Sequence, residues 1–414
     1  MIGSYTRHSW ASLLLAEEVI ADSGIESENG WNMEKNQIFK IYGTDYKTMT
    51  KRLLEEAELI SLLPSRGCRI GIKPNLVAPT PAELGATTHP EVVAGIVEYL
   101  QERGCRNLVI MEGSWVGDCT EEAMELCGYN RLAGKYQAEL HDAQKDAWFE
   151  RDCAGLSLRL CRCVQDVDFL INVPVLKGHC QTKLTCALKN MKGLLPNAEK
   201  RRFHAMGLHR PIAHLAAGLR QDFIVVDHIC GDLDFEDGGN PVVKNCIMAA
   251  RDPVLVDAYA CGLLHYELEE VPYIGLASRL GAGSASVADA QIQVLEPGDG
   301  TCRRRILQGE EIWDEELPYA SKVVAVCDVV EEVESCSACY GSLLPALDRL
   351  REEGLLDALQ EKISIGQGYR GKNGSLGVGN CTSKFAYCIK GCPPTEEQIY
   401  EGLQAYLSNE NRNE

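Results

Sequence analysis

No stretch of the 414-residue chain approaches the roughly 18–20 consecutive apolar residues needed to cross a bilayer. No membrane partner is expected. The apolar run Trp10–Ala16 is cut off by Glu17 and Glu18, and no small-residue cleavage site follows. It reads as an N-terminal helix, not a signal sequence, so the expected location is a reducing cytoplasm. Basic residues are also in short supply. Lys and Arg number 41 against 60 Asp and Glu, for a net charge of −19. Surfaces that grip nucleic acid or anionic lipid carry clustered Lys and Arg, so no nucleic-acid partner is expected either. G-x-G-x-x-G, G-x-x-x-x-G-K-[ST] and G-x-S-x-G are all missing, which removes motif support for standard dinucleotide, P-loop and hydrolase-elbow chemistry. No internal repeat or low-complexity segment stands out.

Cysteine, by contrast, is abundant, at 19 residues. An odd number cannot all pair within one chain. Most lie in apparent strands and helices, where a thiol acts as a small buried hydrophobe. The C-terminal ones differ. Cys336-Ser-Ala-Cys339 is a tight pair, and Gly379-Asn380-Cys381 and Gly391-Cys392-Pro393-Pro394 follow. A C-x-x-C turn offers two thiolates to one centre, and neighbouring glycines let the backbone approach it. A structural zinc usually brings a second C-x-x-C or closely spaced His ligands, and neither is present. The pattern favours an iron–sulfur cluster. Zinc, a thioredoxin-type redox pair and unligated buried thiols stay open as alternatives. A cuboidal cluster takes four cysteines, and the segment has five. Cys336, Cys339, Cys381 and Cys392 are the expected ligands. Cys388 has no adjacent glycine or proline and sits between Tyr387 and Ile389, so it reads as a buried thiol.

The chain reads as α/β: a mostly parallel sheet flanked by helices, with a small C-terminal α/β iron–sulfur domain. Residues 1–37 read as an extension containing the helix Ser12–Ile20. Residues 38–320 read as the main α/β domain and 321–414 as the cluster-binding domain, the sequence turning polar near Asp314–Tyr319. Helices are expected over Tyr46–Leu63, from His89-Pro90 with Val92, Val93, Ile96, Val97 and Leu100 on one face, and over Thr182–Met191, Pro211–Leu219, Leu343–Leu359 and Thr395–Leu407. Strands are expected over Arg69–Lys73, Asn107–Met111, Leu158–Cys163, Val167–Val173, Phe223–Asp227, Asn245–Ala250, Lys362–Ile365 and Ser375–Gly379. Val167–Val173 is the kind of apolar run buried on both faces of a parallel sheet.

Ligands of open α/β sheets bind at the strands' carboxyl ends. Four expected strands end in polar groups: Lys73-Pro74-Asn75, Glu112-Gly113-Ser114, Asn172 followed by Lys177-Gly178-His179, and Asp227-His228. Lys177, Lys183, Lys189, Lys192 and His204 make this segment locally basic, which points to a small anionic ligand. Lys73, Lys177 and His179 are the candidate catalytic residues, His179 as a proton donor. Asn75, Glu112, Asn172, Lys189, Asn190, His204 and Asp227 are candidate ligand-binding residues. Plainer readings stand beside these: Lys183 and Lys192 as a solvated helix face, Asp227 as a turn cap, His89 as a helix-start residue. The acidic run Asp232, Asp234, Glu236 and Asp237 reads as a solvated loop rather than a divalent-cation site, since it lacks EF-hand spacing.

Lys73-Pro74-Asn75-Leu76-Val77, Thr88-His89-Pro90, Ile171-Asn172-Val173-Pro174 with Lys177-Gly178-His179, and Ala187-Leu188-Lys189-Asn190-Met191-Lys192-Gly193 occur in that order. Together they resemble domain of unknown function family 362, over roughly Ile38 to Cys261. Members are often described as uncharacterised iron–sulfur centre proteins. The later cysteine segment looks like the C-terminal cluster region of some members. The turn at Gly391-Cys392-Pro393-Pro394 is similar to the cluster-ligand turn of the small iron–sulfur subunit of respiratory complex I. The ferredoxin insertion of some members, with repeated C-x-x-C-x-x-C, is absent, and Met1–Asn36 does not match the pattern. The leading expectation is a redox protein, an oxidoreductase or electron-transfer protein, with one 4Fe–4S cluster near a basic pocket. A small anionic molecule or a redox partner protein is the expected partner, and a homo-oligomer is compatible with the sequence. The alternatives are a non-redox enzyme with a structural cluster, and a carrier or binding module without chemistry of its own.

Overall fold

The computed structural model describes residues 33–235, 238, 240–296, 303–313 and 322–410. The expected helix Ser12–Ile20, the polar break at Asp314–Tyr319, and Glu236 and Asp237 of the acidic run lie outside the described residues. In chain order, the first strands are β1 (Gln37–Tyr42), β2 (Ile70–Pro74), β3 (Leu108–Glu112), β4 (Glu139–Asp142), β5 (Trp148–Cys153) and β6 (Leu156–Cys161). Then come β7 (Phe169–Val173), β8 (Lys177–His179), β9 (Lys183–Thr185), β10 (Phe223–Asp232), β11 (Pro241–Ala250), β12 (Gln291–Glu296) and β13 (Arg303–Ile306). The last are β14 (Val330–Glu332), β15 (Ile363–Ile365), β16 (Leu376–Val378) and β17 (Tyr387–Ile389).

The main sheet runs β13-β12-β1-β11-β10-β7-β2-β3-β4. Among the described residues, five of its eight pairings are parallel, and three are antiparallel, all involving β11 or β13. This is the mostly parallel sheet the alternation of strands and helices implies. Side chains along a strand point alternately to its two faces, and both faces are covered. Phe169, Ile171 and Val173 of β7 enter one core with Phe223 and Val225 of β10. Leu170, Ile224 and Val226 enter the other. Hence the central strands read as continuous apolar runs.

The motif Thr88-His89-Pro90 has a mechanical role. Pro90 opens the helix Pro90–Glu102 at its first position, and the expected face of Val92, Val93, Ile96, Val97 and Leu100 is buried. Thr88 Oγ1 accepts the Asn75 N–H and donates to the Val173 carbonyl, both at 2.8 Å, tying the ends of β2 and β7 together.

Four elements differ from expectation. Tyr46–Leu63 is two helices, Tyr46–Glu56 and Leu59–Leu62, separated where Glu58 turns left-handed at φ +49°. Thr182–Met191 is not one helix; β9 pairs antiparallel with β8, and a short helix, Ala187–Asn190, follows. Leu184, Leu188 and Met191 have helical spacing, but Leu184 is buried from a strand. The strand expected at Leu158–Cys163 is β6, which pairs with β5 in a separate hairpin. The helix expected over Leu343–Leu359 begins at Ser337 and ends at Glu352. Leu355, Leu356 and Leu359 still pack on the same core, so the apolar period carries through the break.

The second sheet is wholly parallel, in the order β14-β15-β16-β17. The helices Ser337–Glu352 and Glu396–Glu410 share its core through Leu343, Leu344, Leu347, Ile399 and Leu403. The described residues form one compact unit.

Candidate functional site

The carboxyl ends of β2 and β3 and the β8–β9 hairpin border a cleft whose walls include Lys73, Asn75, Glu112, Lys177, Lys189, Asn190 and His204. Sequence reading thus brings seven candidate residues to one place. Lys73 and Glu112, 1% and 2% exposed, form a buried ion pair at 2.7 Å. Lys73 Nζ also donates to the Pro74 carbonyl at 2.8 Å and to Asn190 Oδ1 at 3.0 Å. An ammonium has three donors, so all are used inside the protein. Lys73 therefore contributes charge and order to the cleft, not a hydrogen bond to a ligand. Burial pushes its pKa down, and the Glu112 carboxylate works against that. Gly193 permits the pair, because a Cβ there would stand 2.0 Å from Glu112 Oε1 and 2.6 Å from Lys73 Nζ.

Lys177 is fully buried on β8 and donates to the Ala86 carbonyl at 2.8 Å, and Lys189 donates to Thr185 Oγ1 at 3.2 Å. Both belong to or follow the β8–β9 hairpin rather than a loop before a long helix. Lys192 lies on the cleft wall, whereas Lys183, 42% exposed, pairs with Glu270 at 2.5 Å.

Three candidates stand outside the cleft walls. His179 Nδ1 accepts the N–H groups of Gln181 and Thr182 at 3.0 and 3.1 Å, closing the hairpin turn. Those donors place its proton on Nε2. Asn172 donates to the Ala187 carbonyl at 2.9 Å and to Gln221 Oε1 at 2.6 Å, and accepts from Asn190 at 2.7 Å. It aims Asn190, which is in the cleft. Asp227 accepts from the His89 backbone and faces its Nδ1 at 2.7 and 2.8 Å. Burial disfavours the charged ring, but the Asp227 carboxylate more than offsets this and lifts His89 to about 10. Neither residue is thus a mere turn cap or helix start. Asp232 accepts three backbone N–H groups, from Asp234, Phe235 and Asn240, and organises its loop.

Sequence reading missed Lys200 and Arg201, because Glu199-Lys200-Arg201-Arg202 resembles a solvated charge run. Both line the cleft. Lys200 is 5% exposed and donates to the carbonyls of Gly113 and Ser114 at 3.0 and 2.7 Å. Burial lowers its pKa to about 8. The cleft's far wall is Cys336, Ser337 and Ala338. His204 Nε2 faces the N–H and Oγ of Ser337, each at 3.5 Å. Gln181, at the hairpin tip, donates to Ser335 Oγ at 2.9 Å and accepts from Ser337 Oγ at 3.0 Å.

A second cavity opens at the carboxyl ends of β15, β16 and β17. Cys336, Cys339, Cys381 and Cys392 all line it, with Arg201 and Arg370. Cys336 caps the helix Ser337–Glu352, which places Cys339 one turn on. Cys388 Sγ points elsewhere, 3.5 Å from Thr382 Oγ1 and 3.6 Å from the Gly379 carbonyl. Gly379 lines the cavity at φ +87°, a left-handed conformation that favours glycine. Burial raises the Cys336 thiol and pushes Cys339 up to about 12; the neighbouring cysteines add to this and Arg201 opposes it. Arg370 hydrogen-bonds Cys381, which holds the guanidinium above its ordinary value.

These cysteines could hold a metal cofactor. Among the described residues, one set of His, Cys and carboxylate ligand atoms lies mutually within 4.8 Å, and it is elsewhere: His141, Asp146 and Cys163. There Asp146 accepts the Cys163 N–H at 2.7 Å and stands 3.4 Å from His141 Nε2, joining the end of β4 to the turn after β6.

Fold and site define an α/β protein with a cation-lined cleft at its strand ends and a four-cysteine cavity beside it. Residues 70–262 match the family model described as "Domain of unknown function (DUF362)". The matched segment carries the cleft residues from Lys73 to His204 and ends before the four cysteines. The thylakoid-associated protein sll1697 of Synechocystis sp. is 25% identical over 222 residues, covering 52% of this chain and 68% of its own. The lactate racemase apoprotein of Thermoanaerobacterium thermosaccharolyticum aligns at 13% identity and a TM-score of 0.37, over 59% of this chain. The alignment spans 61% of that protein, under two thirds of its length. No described helix is long and apolar enough to cross a membrane.

Proposed function

We propose that the chain is an iron–sulfur redox protein whose cysteine cavity holds one 4Fe–4S cluster and whose cleft binds a small anion. The carrying observation is that the two cavities adjoin, since Cys336 and Arg201 line both. Cys336, Cys339, Cys381 and Cys392 would be the ligands. When bound, the cluster supplies one-electron chemistry. Lys177, Lys189, Lys192, Lys200 and Arg201 supply positive charge at the ligand, and the Lys73–Glu112–Asn190 network fixes the cleft floor. His204 lines the cleft and faces Ser337, the residue after Cys336.

The spacing of the sulfurs supports a cluster over a single zinc. A tetrahedral zinc with bonds of about 2.3 Å draws its sulfurs to within roughly 4 Å of one another. No three of these four cysteines have sulfurs mutually within 4.8 Å. A cuboidal cluster takes one thiolate per iron corner and needs wider spacing. A reducing compartment, and a low-potential partner protein exchanging electrons with the cluster, fit this reading.

Purification without oxygen from iron-replete cells tests it. Brown protein with about four irons and four sulfides per chain is expected; protein made in air should be pale, as thiolate-held clusters are lost to oxidation. Stoichiometric zinc without sulfide would refute the cluster.

A further inference from the structure

The two cavities meet at one side chain, and that junction has a thermodynamic consequence. Arg201, half-buried in the helix Asn197–Ala205, lines both the cleft and the cysteine cavity. Among the described residues no side-chain hydrogen bond or ion pair engages its guanidinium; its backbone carbonyl accepts from Gln367 at 3.4 Å. Arg201 lines the cysteine cavity together with Cys336, Cys339, Cys381 and Cys392. Next to it, Lys200 is held against the Gly113 and Ser114 carbonyls at the cleft wall.

We propose that Arg201, with Lys200, forms an oxyanion subsite at this junction, and that its occupancy is coupled to the redox state of the cysteine centre. The ligand class is a small phosphate or carboxylate. This rests on the cluster reading above. Reduction adds one electron to a centre already made negative by four thiolates. An anion on Arg201 repels that electron and neutralises the guanidinium that would otherwise stabilise it. The occupied protein is therefore harder to reduce. Reciprocity requires that the reduced protein bind the anion more weakly by the same factor. The oxidised state captures the anion, and reduction favours its release.

The test is a spectroelectrochemical titration of anaerobic, cluster-loaded protein over a series of inorganic phosphate concentrations, with ionic strength held constant by chloride. The midpoint potential falls as phosphate rises and then levels off. A tenfold difference in phosphate affinity between oxidation states corresponds to about 59 mV for one electron. Equilibrium dialysis of phosphate against oxidised and reduced protein should return the same factor. Arg201→Gln, with its iron and sulfide content retained, loses most of the shift and starts from a lower potential, whereas Arg201→Lys keeps the shift. Full cluster content with a midpoint indifferent to phosphate overturns the coupling alone. So does an undiminished shift in Arg201→Gln. Protein without iron and sulfide refutes the cluster reading and this inference with it.

Discussion

Replacing Glu112 with Gln strikes the floor of the cleft, and the structure indicates how much stability is lost. Glu112 Oε2 accepts from Lys73 Nζ at 2.7 Å and from the Leu76 N–H at 2.9 Å, and Oε1 accepts the Gly113 N–H at 2.7 Å. An amide keeps one acceptor and turns an NH2 group toward donors. Lys73, 1% exposed, is left without its counter-charge. Removing one partner of a buried ion pair costs about 3–5 kcal/mol, a large share of the roughly 5–15 kcal/mol that holds a domain folded. Lys73→Met combined with Glu112→Gln removes the stranded ammonium and leaves Gln Oε1 to accept a backbone N–H. The double variant should therefore cost less than the sum of the two singles by at least about 2 kcal/mol. Equilibrium urea unfolding, followed by fluorescence and circular dichroism, measures the cycle. A Glu112→Gln protein within about 0.5 kcal/mol of wild type, or additive costs, would refute the reasoning.

Two predictions concern pH. His89 is raised from 6.5 to about 10 in the folded state, so its stabilising pairing with Asp227 is complete below pH 6.5 and fades as pH climbs through about 10. Wild-type stability should carry that slope, and Asp227→Asn should lose it, as read by urea unfolding across the window. Lys200, lowered to about 8 by burial, loses its charge as pH passes about 8. Phosphate binding should weaken above that pH, and in Lys200→Met the step should disappear; a wild-type profile flat from pH 7 to 9 would count against the role given to Lys200.

Much of this arrangement is legible in the sequence because it depends on local pattern. The both-faces-buried run ending at Val173, the helix opened by His89-Pro90, and the polar endings at Lys73, Glu112 and Asn172 follow from periodicity and from where open sheets bind ligands. Four cysteines beside turn residues do fall in one cavity, and Cys388 falls outside it. What is not legible depends on tertiary partners. The β8–β9 hairpin is hidden because Leu184, Leu188 and Met191 have helical spacing, while Lys183 takes the left-handed conformation, at φ +61°, with no residue to announce it. Lys200 and Arg201 sit in a charge run, and only packing shows that one is buried and the other faces two cavities. Asn172 and Asp227 read from the sequence as ligand-binding residues; in the fold they hold Asn190 and His89, which strand endings alone cannot reveal.

The central claim is that Cys336, Cys339, Cys381 and Cys392 hold one cluster next to the cleft. Its most direct test is the iron and sulfide content of single Ser variants, purified side by side without oxygen. The account predicts sharp loss in each of the four and wild-type content in Cys388→Ser. Loss of the cluster in Cys388→Ser, with retention in Cys381→Ser or Cys392→Ser, would contradict it.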